Sequence, residues 1–293
     1  MTLTADPLDS LLRAAVRDRI HPGAVWAVGD AGATLTEGAA GAGMGPDTAF
    51  ELAGLGQVLD VWPAVGTLVG DGDLQLHTPL GAYLGELSGR PLAGVTSHHL
   101  LTHTAGLRDS AAGPPVPLLH TALHRAPSET VEYSDRAARI LGHLVERLSG
   151  RPADRLAAER VWQPLGMTRT GPRRTAPGAD GPPGIRSVLG DLTRFLRHLL
   201  GPDPVPFGAA WVRESLRIRT GELAPPRGLF WRPAAGTHRR QDIWVHHGPA
   251  GSGLWLSPAQ SRWAVLLTGR GDGPRDRAAA ARVRETFRAA AFR

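Results

Sequence analysis

Three short stretches carry side chains able to move a proton or attack a carbon: Tyr133-Ser134-Asp135, His246-His247 and Gly251-Ser252-Gly253. A carboxylate such as Asp135, set near an imidazole, is the pair that general acid and base catalysis uses. Asp135 fits a second role equally well, as the N-cap of a helix starting at Arg136. Adjacent strand residues point to opposite faces, so only one of His246 and His247 can serve a site, and the register favours His246. The same divergence argues against a zinc site built from the two. Ser252 reads as a turn residue, because no base is spaced to activate it. Ser134 is expected to point away from the site, and His103, in Thr102-His103-Thr104-Ala105-Gly106, reads as structural.

Composition removes several chemistries. The chain has 293 residues and no cysteine, and all 33 of its basic Lys+Arg residues are arginine. Thiolate catalysis, disulfides, Cys-based metal sites and lysine Schiff bases are therefore excluded. The net charge of +6 comes without a clustered basic face or a recognisable module, which argues against nucleic-acid binding. No apolar run approaches the ~20 residues that span a bilayer, and no signal peptide is visible, so a cytoplasmic protein is expected.

The elements that must position these residues follow from periodicity. Asp6-Pro7 opens an amphipathic helix carrying Leu8, Leu11, Leu12 and Ala15. Ala24 to Val28 and Thr34 to Glu37 read as a hairpin. Phe50 leads through a tight turn at Gly54-Leu55-Gly56-Gln57 into a buried helix from Val58 to Val69, which Pro63 is expected to kink. Helical pieces follow at Leu100 to Thr104, Arg136 to Leu148 and Asp191 to Leu200, with a Pro/Gly-rich loop from Gly171 to Gly184. Strands at Ile243 to His246, Leu254 to Leu256 and Trp263 to Thr268 precede a last helix from Arg275 to Ala291. The expected fold class is α/β: an antiparallel sheet from residues 1–52 and 185–293, flanked by the terminal helices. A mainly helical domain, residues 53–184, is inserted, with the active cleft at the seam.

Local signatures then fall in the order of one family. They are Asp47 to Ala53, the box Gly54 to Gln57, Gly70 to Leu76, Leu100 to Leu107, Tyr133-Ser134-Asp135, Trp162 to Thr170, Gly228 to Trp231 and His246-His247-Gly248. Together they resemble the serine β-lactamase family, in its class C, D-alanyl-D-alanine carboxypeptidase and family VIII esterase branch. The resemblance implies a nucleophilic serine and a lysine in an S-x-x-K box, a tyrosine of Y-x-N at the centre of the cleft, and a K-T-G or H-x-G strand on its far wall. Here the serine position is Gly54, the lysine position Gln57, and the asparagine position Asp135. The oxyanion donor that follows Gly248 falls on Pro249, which has no N–H to give.

From these replacements two readings stay open. One is an enzyme doing non-covalent acid/base work (cyclisation, isomerisation or elimination) on a small molecule, such as a natural-product intermediate. The other is a catalytically silent binder of a ligand or partner; a conventional esterase or β-lactamase is the least favoured. Tyr133, Asp135 and His246 are the catalytic candidates. Gly54, Gln57, His247, Gly248 and Pro249 are binding candidates, with Trp231 and Trp255 as an apolar wall or as core. No metal or cofactor is implied, and the oligomeric state is not legible. Replacing two family lysines by Gln57 and His246, and an asparagine by Asp135, implies a ligand neutral or cationic at its buried end. That holds unless Arg136, Arg232 or another arginine enters the site.

Overall fold

The computed structural model describes residues 6–108, 117–173, 184–202, 205, 207–236, 238–248, 251–269 and 276–293. Its helices are α1 (Asp6–Arg17), α2 (Val61–Asp71), α3 (Ser97–Leu101), α4 (Asp135–Ser149), α5 (Ala153–Ala157), α6 (Leu189–Leu200), α7 (Ala209–Ser215) and α8 (Arg277–Ala291). The strands are β1 (Ala24–Asp30), β2 (Thr34–Ala40), β3 (Phe50–Glu51), β4 (Gly171–Pro172), β5 (Ile185–Ser187), β6 (Arg232–Pro233), β7 (Trp244–His247), β8 (Gly253–Ser257) and β9 (Arg262–Thr268). Two compact units result: Met1–Gly56 with Trp162–Pro204 and Ala234–Arg293, and Gln57–Val161 with Val205–Pro233.

The first unit is built on an antiparallel sheet in the order β2-β1-β9-β8-β7. Six of the seven residues of β1 are buried, because helices cover both of its faces. On one side Leu8 and Leu12 of α1 and Val283 and Phe287 of α8 pack with Trp26, Val28, Trp255 and Leu266. On the other, α6 lies along β1 and β9. The β1–β2 turn is closed by Asp30, whose carboxylate accepts from the Gly32 and Ala33 N–H groups at 2.8 and 2.9 Å. Gly29 is required there, since a Cβ would lie 2.2 Å from the Trp263 ring. A smaller sheet, β3-β5-β4, anchors the exit of Phe50.

The second unit is helical and centred on Trp62 of α2. That indole is fully buried among Phe207, Trp211 and Trp231, at ring distances of 5.5 to 6.2 Å, and donates to Ser215 Oγ at 3.0 Å. This cluster draws residues 205–233 into the helical unit, away from the division at 185 that the sequence pattern suggests. Conversely, β4 and β5 join β3 in the smaller sheet and belong with it to the first unit.

The helix expected from Val58 begins instead at Val61, capped by Asp60, after a 3-10 turn over Ala53–Val58. Pro63 therefore sits in the first turn, where its missing N–H costs no helical bond, and the expected kink has no cause. Most of the expected Pro/Gly-rich loop, residues 174–183, lies outside the described residues.

Candidate functional site

In the second unit, three of the candidates meet. Tyr133 Oη donates to Asp135 Oδ1 at 2.7 Å. Gln57 Nε2 donates to the same carboxylate oxygen at 2.8 Å and to Tyr133 Oη at 3.1 Å. The triangle fixes the Gln57 amide orientation, because a carboxylate can only accept. Tyr133 is 41% exposed, so the group stands at the surface of its unit.

The capping role considered for Asp135 belongs to its neighbour. Ser134 is the N-cap of α4, buried, with its hydroxyl accepting from Arg136 N at 3.2 Å. Asp135 is thereby the first helical residue, and its carboxylate is left to Tyr133 and Gln57.

His103 positions this group, a role that its sequence motif did not disclose. Its carbonyl accepts from Glu132 N at 2.9 Å and its Nδ1 from Ser134 N at 3.3 Å. The residues on either side of Tyr133 are thus tied to one histidine, whose ring also packs against the Tyr133 ring at 4.7 Å and stacks on Phe230 at 5.5 Å. His103 adopts φ 56°, the left-handed region, and is buried. An Nδ1 that accepts places the proton of the neutral ring on Nε2.

Arg227 completes the surroundings, with its guanidinium 5.9 Å from the Tyr133 ring centroid. Burial pushes its pKa down to about 10, helped by Arg232, while Tyr133 acts in the opposite sense. Arg136 turns elsewhere and donates to Thr121 Oγ1 at 2.9 Å.

In the first unit, His246 is buried and its Nε2 lies 3.0 Å from the Gly54 carbonyl. A carbonyl can only accept, so Nε2 carries the proton. His247 faces the other way and packs edge-on against Trp255 at 5.9 Å. Gly248 gives its N–H to Ser252 O at 2.9 Å, and a Cβ there would lie 3.1 Å from Leu55, so the small residue lets the strand end approach the turn. Ser252 Oγ accepts from Thr268 N at 2.9 Å and is buried, which fits the turn role. Pro249 lies outside the described residues.

Of the two roles open to Trp231 and Trp255, both tryptophans take the core one. Both are fully buried, Trp231 against Trp62 and Trp255 against Phe287, and neither presents surface to a ligand. Among the described residues no group of three or more His, Cys, Asp or Glu side chains is placed to hold a metal ion, and no helix is long and apolar enough to cross a membrane.

Comparisons with known proteins agree with this architecture. The chain is 35% identical over 217 residues to esterase EstB of Burkholderia gladioli, covering 60% of this chain and 55% of the esterase. It thus spans little more than half the length of that relative. Among solved structures it resembles a β-lactamase from Mycobacterium bovis, with a TM-score of 0.71, 23% identity and coverage of 96% and 99% of the two chains. Simvastatin synthase (LovD) from Aspergillus terreus gives a TM-score of 0.80 at 19% identity, covering 99% and 98%. The family model for β-lactamase matches residues 8–287. The chain belongs to the β-lactamase family.

Proposed function

We propose that this chain is a β-lactamase-fold enzyme that moves protons on a small molecule without forming an acyl-enzyme. The observation that carries this reading is the triangle of Gln57, Tyr133 and Asp135. A proton arriving at Tyr133 Oη can pass to Asp135 along the 2.7 Å hydrogen bond, while Gln57 steadies both oxygens. Such a relay takes a proton at one substrate atom and can return it at another, as isomerisation, elimination or cyclisation requires. In this reading the activity that the esterase's name states does not come to this chain with the fold. Here glycine and glutamine stand where the resemblance places the serine and lysine, while Ser134 caps a helix and Ser252 is a buried turn residue. His246 spends its N–H on the Gly54 carbonyl, so in this reading it shapes the turn and does no chemistry.

One observation favours a second reading, a catalytically silent binder. The triangle closes on itself, Gln57 and Tyr133 giving their hydrogen bonds within it, as a relic network would. The two readings separate by mutation. Wild type, Tyr133→Phe and Asp135→Asn would be incubated with a metabolite pool, and conversion and intact mass followed. Proton transfer predicts a loss of conversion of about 10²-fold or more in both variants, with melting temperatures little changed. A stoichiometric covalent adduct, or conversion indifferent to both substitutions, overturns it.

A further inference from the structure

Arg227 is a cation whose placement nothing in the triangle explains. Other arginines of its unit have partners: Arg108 pairs with Glu132, Arg219 with Glu214, and Arg136 bonds Thr121. The Arg227 guanidinium forms no ion pair among the described residues. Its Nε is buried with no hydrogen-bond partner among them, and its cation faces the Tyr133 ring. A partly desolvated guanidinium without a counter-ion is costly, and a second cation, Arg232, is near enough to add repulsion. Within the triangle, Asp135 Oδ1 accepts from Gln57 and Tyr133.

We propose that Arg227 is the specificity determinant of the Tyr133 site and that it receives a carboxylate of the bound ligand. The inference rests on reading the Tyr133 cluster as a ligand site. A guanidinium presents a planar fork of N–H donors that matches a carboxylate bidentately. The ligand charge deduced from the replaced lysines carried one condition, that no arginine enters, and Arg227 fails that condition. Arg227 sets a cation at the Tyr133 ring, so a monoanion is favoured there over a neutral or basic group. A dianion such as phosphate is less suited, since Asp135 opposes the second charge.

The test uses the smallest probes, which demand nothing of the site's shape. Isotopically labelled protein would be titrated with sodium acetate, acetamide and inorganic phosphate at constant ionic strength held by sodium chloride. The readout is the Arg227 Nε–H resonance, with Arg227→Gln and Arg227→Lys as variants. Acetate is expected to move that resonance saturably, phosphate less, and acetamide not at all. Loss of a charge-assisted bidentate pair should weaken acetate by about tenfold or more in Arg227→Gln, with Arg227→Lys in between. Asp135→Asn should tighten acetate by removing the opposing charge. Equal responses to acetate and acetamide, tighter binding of phosphate, or acetate affinity that survives Arg227→Gln would overturn the proposal. The acetate and acetamide comparison on wild type decides even where a variant fails to fold. Acetate binding at Arg227 beside conversion indifferent to Asp135→Asn would sink the proton-relay reading and leave this one standing.

Discussion

Asp60 offers the sharpest check on the packing that carries Gln57. It caps α2, accepting from Val61 N, and follows Gln57 by three residues in the turn that feeds the helix. Burial raises its pKa from 3.8 to about 7, with the Asp154 carboxylate adding to the shift and the hydrogen bond from Val61 opposing it. An acid with a raised folded pKa holds its proton in the fold while the unfolded chain has lost it. Its stabilisation is full below 3.8 and is lost as pH rises through about 7. Linkage across that window gives about 2.5 kcal/mol of stability lost between pH 5 and pH 7.5.

Asp60→Asn keeps a side-chain oxygen to accept from Val61 N and removes the titration. The variant should therefore gain on wild type by about 2 kcal/mol more at pH 7.5 than at pH 5. Comparing the two pH values cancels whatever constant effect the substitution has. Urea unfolding followed by tryptophan fluorescence measures both, with an unchanged slope confirming that stability alone has moved. A stability difference that is the same at both pH values, or that shrinks toward pH 7.5, refutes the burial of an ionisable carboxyl at this cap.

The histidines act in the opposite sense over the same range. His21 is lowered from 6.5 to about 4 by burial and then by Arg284. His98 is also lowered to about 4, by burial first and then by His77, His99 and Arg219. A base with a depressed folded pKa stabilises fully above 6.5 and loses that stability as pH falls through about 4. His21 should cost at most about 2 kcal/mol at pH 5 relative to pH 7.5, and His98 less because it is partly exposed. His21→Gln should flatten the acid limb of the urea-stability profile; an unaltered limb would show that this ring does not resist protonation. Trp62→Ala removes a fully buried indole and strands Ser215 Oγ, so a loss of about 3–5 kcal/mol is expected by thermal or urea unfolding. A loss under about 1 kcal/mol would mean that the aromatic cluster does not organise the helical unit.

The sheet was legible because its signals are local. The Gly-Asp-Ala-Gly turn marks the β1–β2 hairpin, and the apolar runs around Trp255 and Trp263 mark β8 and β9 to within two residues. The opening and closing helices followed from their apolar stripes. What was not legible depends on contacts distant in sequence. Nothing local in residues 205–233 says that Phe207, Trp211 and Trp231 close over Trp62, yet those rings decide which unit the segment joins. Tryptophan in an apolar stretch reads the same whether it floors a ligand site or fills a core, and only burial separates the cases for Trp231 and Trp255.

The site divides along the same line. Motif order located Gln57, Tyr133 and Asp135, and their meeting follows from a scaffold that brings those motif positions together. Sequence left the Asp135 side chain with two roles, cap or site, and Ser134 resolves them by taking the cap. His103 was assigned to structure, and it is structural in a particular way, since it holds the backbone on both sides of Tyr133. Arg227 had no signal at all. In a chain with 33 basic residues, all arginine, one more arginine in a loop carries no information. Its meaning comes from what it faces and from having no acidic partner among the described residues. A count of replaced lysines follows only the charge that leaves a site and takes no account of a cation that arrives from another segment, as Arg227 does at the Tyr133 ring.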